Sequence, residues 1–127
     1  MTSKIFNVSD YYELLALHRA LLESQFCGEP NDMDISASPI IAKLHKQLLE
    51  TLVNVEIERK GIAAKTIWDE WLNISAERRE WKVALKRAKD ERLWNEWDYD
   101  AKRTYVYDLL SPFKIDDNLA DMFITQV

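Results

Sequence analysis

The sequence predicts an all-α protein, a bundle of five to six helices in a single domain over residues 1–127, and three observations carry that expectation. The chain of 127 residues holds only two glycines and three prolines. A strand-rich fold with many tight turns needs more of both, whereas long helices need neither. Apolar residues recur at helical spacing along most of the chain. The interruptions in that spacing coincide with residues that start or stop helices.

Taken in order, a first helix is expected from Tyr11 to Phe26, with Tyr11, Leu14, Leu15, Leu21 and Leu22 on its apolar side. Ser9 suits its N-cap and Gly28 its termination. Residues 29–38, EPNDMDISAS, read as a polar connector. Ser38 followed by Pro39 is a cap with proline at the first helical position, opening a second helix. That helix carries Ile40, Ile41, Leu44, Leu48, Leu52 and Val55 and runs to Lys60, with Gly61 beyond. A shorter third helix covers about Ile62 to Asn73, and Ser75 can cap a fourth.

Beyond Ser75 the pattern splits. Trp81, Ala84, Leu85 and Ala88 form one apolar arc, while Trp94, Trp97, Ala101 and Tyr105 form another. The two arcs are about 140° apart if the helix is continuous. A break near KDER (89–92) resolves the conflict, with Asp98 or Asp100 capping a new helix. Ser111–Pro112 ends that helix, and Asp116 to Ile124 is expected to form a short terminal one. The one stretch with any period-2 character is Lys4 to Val8.

LHRALLES (17–24) recurs as LHKQLLET (44–51). The shared leucines suit an antiparallel hairpin of the first two helices, which brings His18 opposite the region of Leu48 and His45 opposite that of Leu21. Two imidazoles invite a metal or haem reading, but the positions three before each are Leu15 and Ala42, not the glutamates of carboxylate-bridged bundles. Glu23 and Glu50 lie about 140° away around their helices. Two nitrogens alone make a poor zinc site, so no metal or cofactor is expected.

The remaining chemistry tests fail in similar ways. Asp32, Asp34 and Ser36 imitate the start of a calcium loop, but Ala37 stands where glycine is needed and Lys43 where a bidentate glutamate is needed. Cys27 is single and sits at a helix C-terminus, where the dipole disfavours the thiolate. No phosphate-binding loop, dinucleotide fingerprint or nucleophile elbow is present. The expectation is a protein that is not an enzyme.

Charge is unevenly placed. Residues 1–58 hold four Lys/Arg against nine Asp/Glu, residues 59–92 ten against six, and residues 93–127 three against seven. The basic middle includes Arg78, Lys82, Lys86 and Lys89 on one helical stripe with Arg79 beside it, a pattern that can track phosphates. The five tryptophans (Trp68, Trp71, Trp81, Trp94 and Trp97) all fall within thirty residues. Indoles are hard to bury completely in a small domain, and aromatics beside arginine are frequent at interface hot spots.

The expected function is therefore that of a small accessory, regulatory or inhibitory factor that binds another protein. Its expected contact surface is Trp94, Trp97, Tyr105 and Trp81, rimmed by Arg78, Lys82 and Lys86. A homodimer is one form such a surface allows. The alternative is a nucleic-acid-binding module using the stripe 78–89. An apolar leader is missing from MTSKIFNVSD and no apolar run approaches the ~20 residues of a membrane helix, so the expected compartment is the cytoplasm.

Overall fold

The computed structural model describes residues 6–36 and 38–127. Among them are seven α-helices and no strand. These are α1 (Tyr11–Gln25), α2 (Met33–Ser36), α3 (Pro39–Lys60), α4 (Ala63–Leu72), α5 (Arg79–Asp90), α6 (Tyr99–Leu110) and α7 (Asp117–Gln126), with a 3-10 turn at Trp94–Glu96. The all-α expectation holds, while the count exceeds five to six. The extra element is α2, a single turn inside the segment expected to be a loop. Ala37 and the first five residues lie outside the described residues, so the Lys4–Val8 expectation falls there at its first two positions; Phe6 to Val8 form no strand.

Most helix starts follow from short polar side chains that accept the otherwise unpaired amides of a first turn. Ser38 Oγ accepts from the Ile41 amide at 3.2 Å, with Pro39 at the first helical position. Asp98 and Asp116 do the same for the Ala101 and Leu119 amides, each at 2.8 Å. At α1 the cap is Asp10 rather than Ser9, accepting from the Glu13 amide at 3.2 Å. Asp32 accepts from the Asp34 amide at 3.0 Å, a local turn that opens α2. At α5 the start lies beyond Ser75: the backbone first turns through Ser75–Arg78 and becomes helical at Arg79 with no side-chain cap.

The helix ends are equally legible. Gly61 terminates α3 at φ 87°, a left-handed backbone that glycine adopts without penalty. The displaced apolar arcs are accommodated by a break: α5 stops at Asp90, the 3-10 turn intervenes, and α6 starts after Asp98.

Two apolar clusters hold the helices together. The larger joins Phe26, Ile74, Trp81, Ala84, Ala88, Trp94, Val106, Leu110, Phe113, Ile115, Ala120 and Phe123. The smaller is Leu14, Leu49 and Leu52, with Tyr11, Leu15, Val55, Trp68 and Leu72 packed on it. A parallel bridge between Asn73 and Lys114 ties the end of α4 to the segment before α7. The Ile74 amide donates to the Lys114 carbonyl at 2.9 Å and the Lys114 amide to that of Leu72 at 2.8 Å. No helix among the described residues is long and apolar enough to cross a membrane.

Candidate functional site

Between the two apolar clusters runs a chain of buried polar side chains, and it begins with the repeated histidines. Leu14, His18 and Gln25 fall on the inward stripe of α1 at spacings of four and seven. His45 and Leu49 fall on the inward stripe of α3. His18 is 5% exposed and His45 0%. Their rings meet directly: His18 Nδ1 and His45 Nε2 are 2.9 Å apart. Tyr11, seven residues before His18, donates to Glu56, eleven after His45.

The protonation pattern of this chain is set from its far end. Gln25 Nε2 lies 3.2 Å from the Ser111 carbonyl, which can only accept, so the amide nitrogen faces it. Gln25 Oε1 consequently faces His45 Nδ1 and accepts its proton. In a neutral ring that leaves His45 Nε2 as an acceptor, and it must receive the proton carried by His18 Nδ1. His18 Nε2 is then left with a bare lone pair. It has no hydrogen-bond partner among the described residues, and it is not a sealed buried atom either, since none of those lacks a partner.

Both rings are held neutral. Burial, and then the nearby Arg19 charge, push the His18 pKa from 6.5 down to about 4. Burial, and then the neighbouring His18, bring His45 down to about 4 as well. A ring this reluctant to take a proton is a weak general base at neutral pH but a well-oriented hydrogen-bond acceptor.

The far end of the chain is anchored by Arg87. Its guanidinium donates to the Gln25 carbonyl, to the Cys27 carbonyl at 3.0 Å, to the Ser36 carbonyl at 3.4 Å and to Ser36 Oγ. Ser36 Oγ in turn donates to the Gln25 carbonyl at 3.3 Å. Arg87 thus closes the C-terminal end of α1 onto α2, and burial lowers its pKa from the ordinary arginine value. The opposite end of the chain, at His18, opens into a cleft of about 460 Å³ between α1, α3 and α4. Leu15, Leu22, Ile67, Trp68 and Trp71 supply apolar wall, while Arg19, Glu56 and Lys60 stand among its polar lining.

The tryptophans of that wall are set edge-to-face against the histidine. The His18 ring is 5.6 Å from Trp68 and 5.2 Å from Trp71, at interplanar angles of 72° and 76°. Both indoles are only half-buried. Glu56, 4% exposed, accepts from Tyr11 Oη at 2.6 Å and pairs with Lys60 at 3.3 Å. The Tyr11 bond, then Lys60 and Arg59, hold its carboxyl below the usual range. Arg19 forms no ion pair among the described residues. Among those residues no three His, Cys, Asp or Glu side chains converge as metal ligands would.

The sequence-predicted contact residues are distributed differently from their wheel positions. Trp81 (1% exposed) and Trp94 (6%) are core residues of the larger cluster and offer no ring to a partner. Trp81 even has its indole N–H satisfied, donating to Gln126 Oε1 at 3.1 Å. Trp97 and Tyr105 are half-buried and pack on Trp94 at 6.3 and 5.9 Å. Arg78 lies between Trp71 and Phe113 at 4.9 and 4.5 Å, and pairs with Glu80. It clamps two elements together instead of rimming a surface. Lys82 and Lys86 are exposed. Of the rest of the basic segment, Arg79 is paired with Glu23 at 2.9 Å and Arg87 is turned inward.

Gln25, Glu56 and Arg87 are not singled out by the sequence, and Ser36 only as part of the imitation calcium loop. Gln25 could have been, because it continues the inward stripe of Leu14 and His18. Arg87 flanks the Ala84–Ala88 arc, yet nothing in the spacing says that it reaches α2. No protein-family model, curated protein or solved structure matches this chain.

Proposed function

We propose that this chain is a small non-enzymatic factor that binds another protein, and that the partner docks at the cleft between α1, α3 and α4. One observation carries the reading. The partly exposed Trp68 and Trp71 line a cleft whose lining also includes Ile67, 67% exposed. A monomer gains nothing from leaving Ile67 in water beside two partly exposed indoles, whereas a partner covering them buries apolar area worth ~25 cal/mol per Å². Recognition of an amphipathic segment by a groove between helices is a recurring mode of protein binding.

This reading moves the expected contact surface from Trp94, Trp97 and Tyr105 to the neighbouring pair of tryptophans. It keeps the expectation of a protein that is not an enzyme. Nucleic acid remains the second reading: Arg78, Arg79 and Arg87 are engaged within the chain, while Lys82, Lys86 and Lys89 stay exposed.

The test is site-specific photo-cross-linking in the native cell, with the cross-linker at Ile67, at Tyr99 and at Lys89 in turn. A discrete adduct at Ile67 alone, abolished by Trp68→Ala, is the expected result. An adduct containing only this chain identifies a homodimer at the same face. Labelling at Tyr99 without labelling at Ile67 assigns the partner to the Trp97 side and overturns the cleft.

A further inference from the structure

The cleft is not uniformly apolar, and a lone pair within it bears on what enters. His18 lines the cleft and is nineteen-twentieths buried, its Nδ1 proton is committed to His45, and its Nε2 lone pair has no partner among the described residues. The atom is open to water, so a ligand that displaces that water leaves the lone pair unpaired, at about 1–3 kcal/mol, unless it brings a donor of its own. A carboxylate or phosphate could pair with Arg19 of the same lining but brings no proton for the lone pair. A single imidazole nitrogen is too little for a metal, and the carboxylate of the cleft lining, Glu56, is already held by Tyr11 and Lys60. The walls beside the nitrogen are two indoles set to receive a flat ring edge-on or offset.

We infer that the cleft takes an aromatic ring carrying an N–H or O–H donor, the side chain of a tryptophan or tyrosine of the partner, with His18 Nε2 accepting its hydrogen bond. The inference rests on the protein-binding reading for the source of the ring, and on the cleft's own geometry for its chemistry. The hydrogen-bond order from the Ser111 carbonyl through Gln25 and His45 makes the choice of donor strict. It keeps the accepting tautomer in place, so an acceptor-bearing or purely apolar ring finds no complement. Interfaces of this kind concentrate binding in one buried aromatic anchor, and tryptophan and tyrosine are the residues most often found there.

The test is an NMR titration of the full-length protein with indole, 1-methylindole, p-cresol and toluene, following the Trp68 and Trp71 indole signals and the His18 Nε2 nitrogen resonance. Indole and p-cresol are expected to shift all three, and 1-methylindole and toluene to bind at least about fivefold more weakly, the loss of one hydrogen bond. Equal binding of donor and donor-free rings, or the absence of cleft shifts up to the solubility limit, overturns the inference. His18→Phe should abolish the preference for the donor; if that variant does not fold, the wild-type nitrogen shift alone decides. Saturating indole should also suppress the Ile67 cross-link. Donor-dependent binding with the cross-link unaffected would keep the ring site and remove the partner docking, so the two proposals fail separately.

Discussion

At the scale of single residues, the histidine pair makes a pH-dependent contribution whose sign is set by neutrality. Folded rings with pKa values of about 4 stay neutral where unfolded rings, near 6.5, already bind protons. Stability from the pair is therefore fully present above pH 6.5 and is lost as pH falls toward 4. Thermal melts of wild type and a His18→Gln, His45→Gln double variant should diverge least at pH 4 and most at pH 7. Wild-type imidazole nitrogen spectra should show both rings neutral at pH 5.5. Arg87 offers a second residue-scale expectation. Arg87→Met leaves the Cys27 and Ser36 carbonyls and the Ser36 hydroxyl oxygen without their donor. It should cost about 2–3 kcal/mol in urea unfolding. Arg87→Lys should recover only part of this, because one ammonium cannot reproduce the planar fork.

At the scale of elements, the caps and the glycine stop carry separable contributions. Asp98→Ala removes the acceptor for the Ala101 amide and should destabilise α6 by about 1 kcal/mol. Gly61→Ala meets no neighbouring atom, so its cost comes from the backbone at φ 87° and should be about 1–3 kcal/mol. Chemical denaturation of both variants checks these values. The helices themselves were largely legible in the sequence, because their signals are local. Ser38–Pro39, Gly61, Asp98 and Ser111–Pro112 each act within a few residues of the boundary they set. The misplaced boundaries have local reasons as well. Asp10, one residue beyond Ser9, competes for the same first-turn amide, and α2 forms because Asp32 turns the chain inside a segment too polar to suggest a helix.

At the scale of the whole molecule, the five tryptophans separate by depth. Trp81→Ala should cost about 3–5 kcal/mol, since it empties the centre of the larger cluster. Trp68→Ala, at the rim of the cleft, should cost less and act instead on partner capture. Urea unfolding set against cross-linking yield distinguishes the two. The arrangement of layers also explains why a polar chain persists between two apolar clusters. His18 touches Trp68 on the smaller cluster and Trp71 on the larger, so its position depends on both being in place.

By itself the sequence determined the all-helical class, the positions of most helix ends, the break after Asp90 and the lack of any familiar catalytic motif. Periodicity, capping and turn chemistry are short-range physics that one chain segment expresses alone. Only the tertiary structure decided that the histidines of the repeated segment bond to each other, that Gln25 and Arg87 complete their chain, and that Trp94 is buried while Trp68 and Trp71 keep part of their surface exposed. A helical wheel shows that a residue is on an apolar face but not which neighbour covers that face. Burial of a tryptophan and the lone pair left on His18 are both set by residues tens of positions away in the chain.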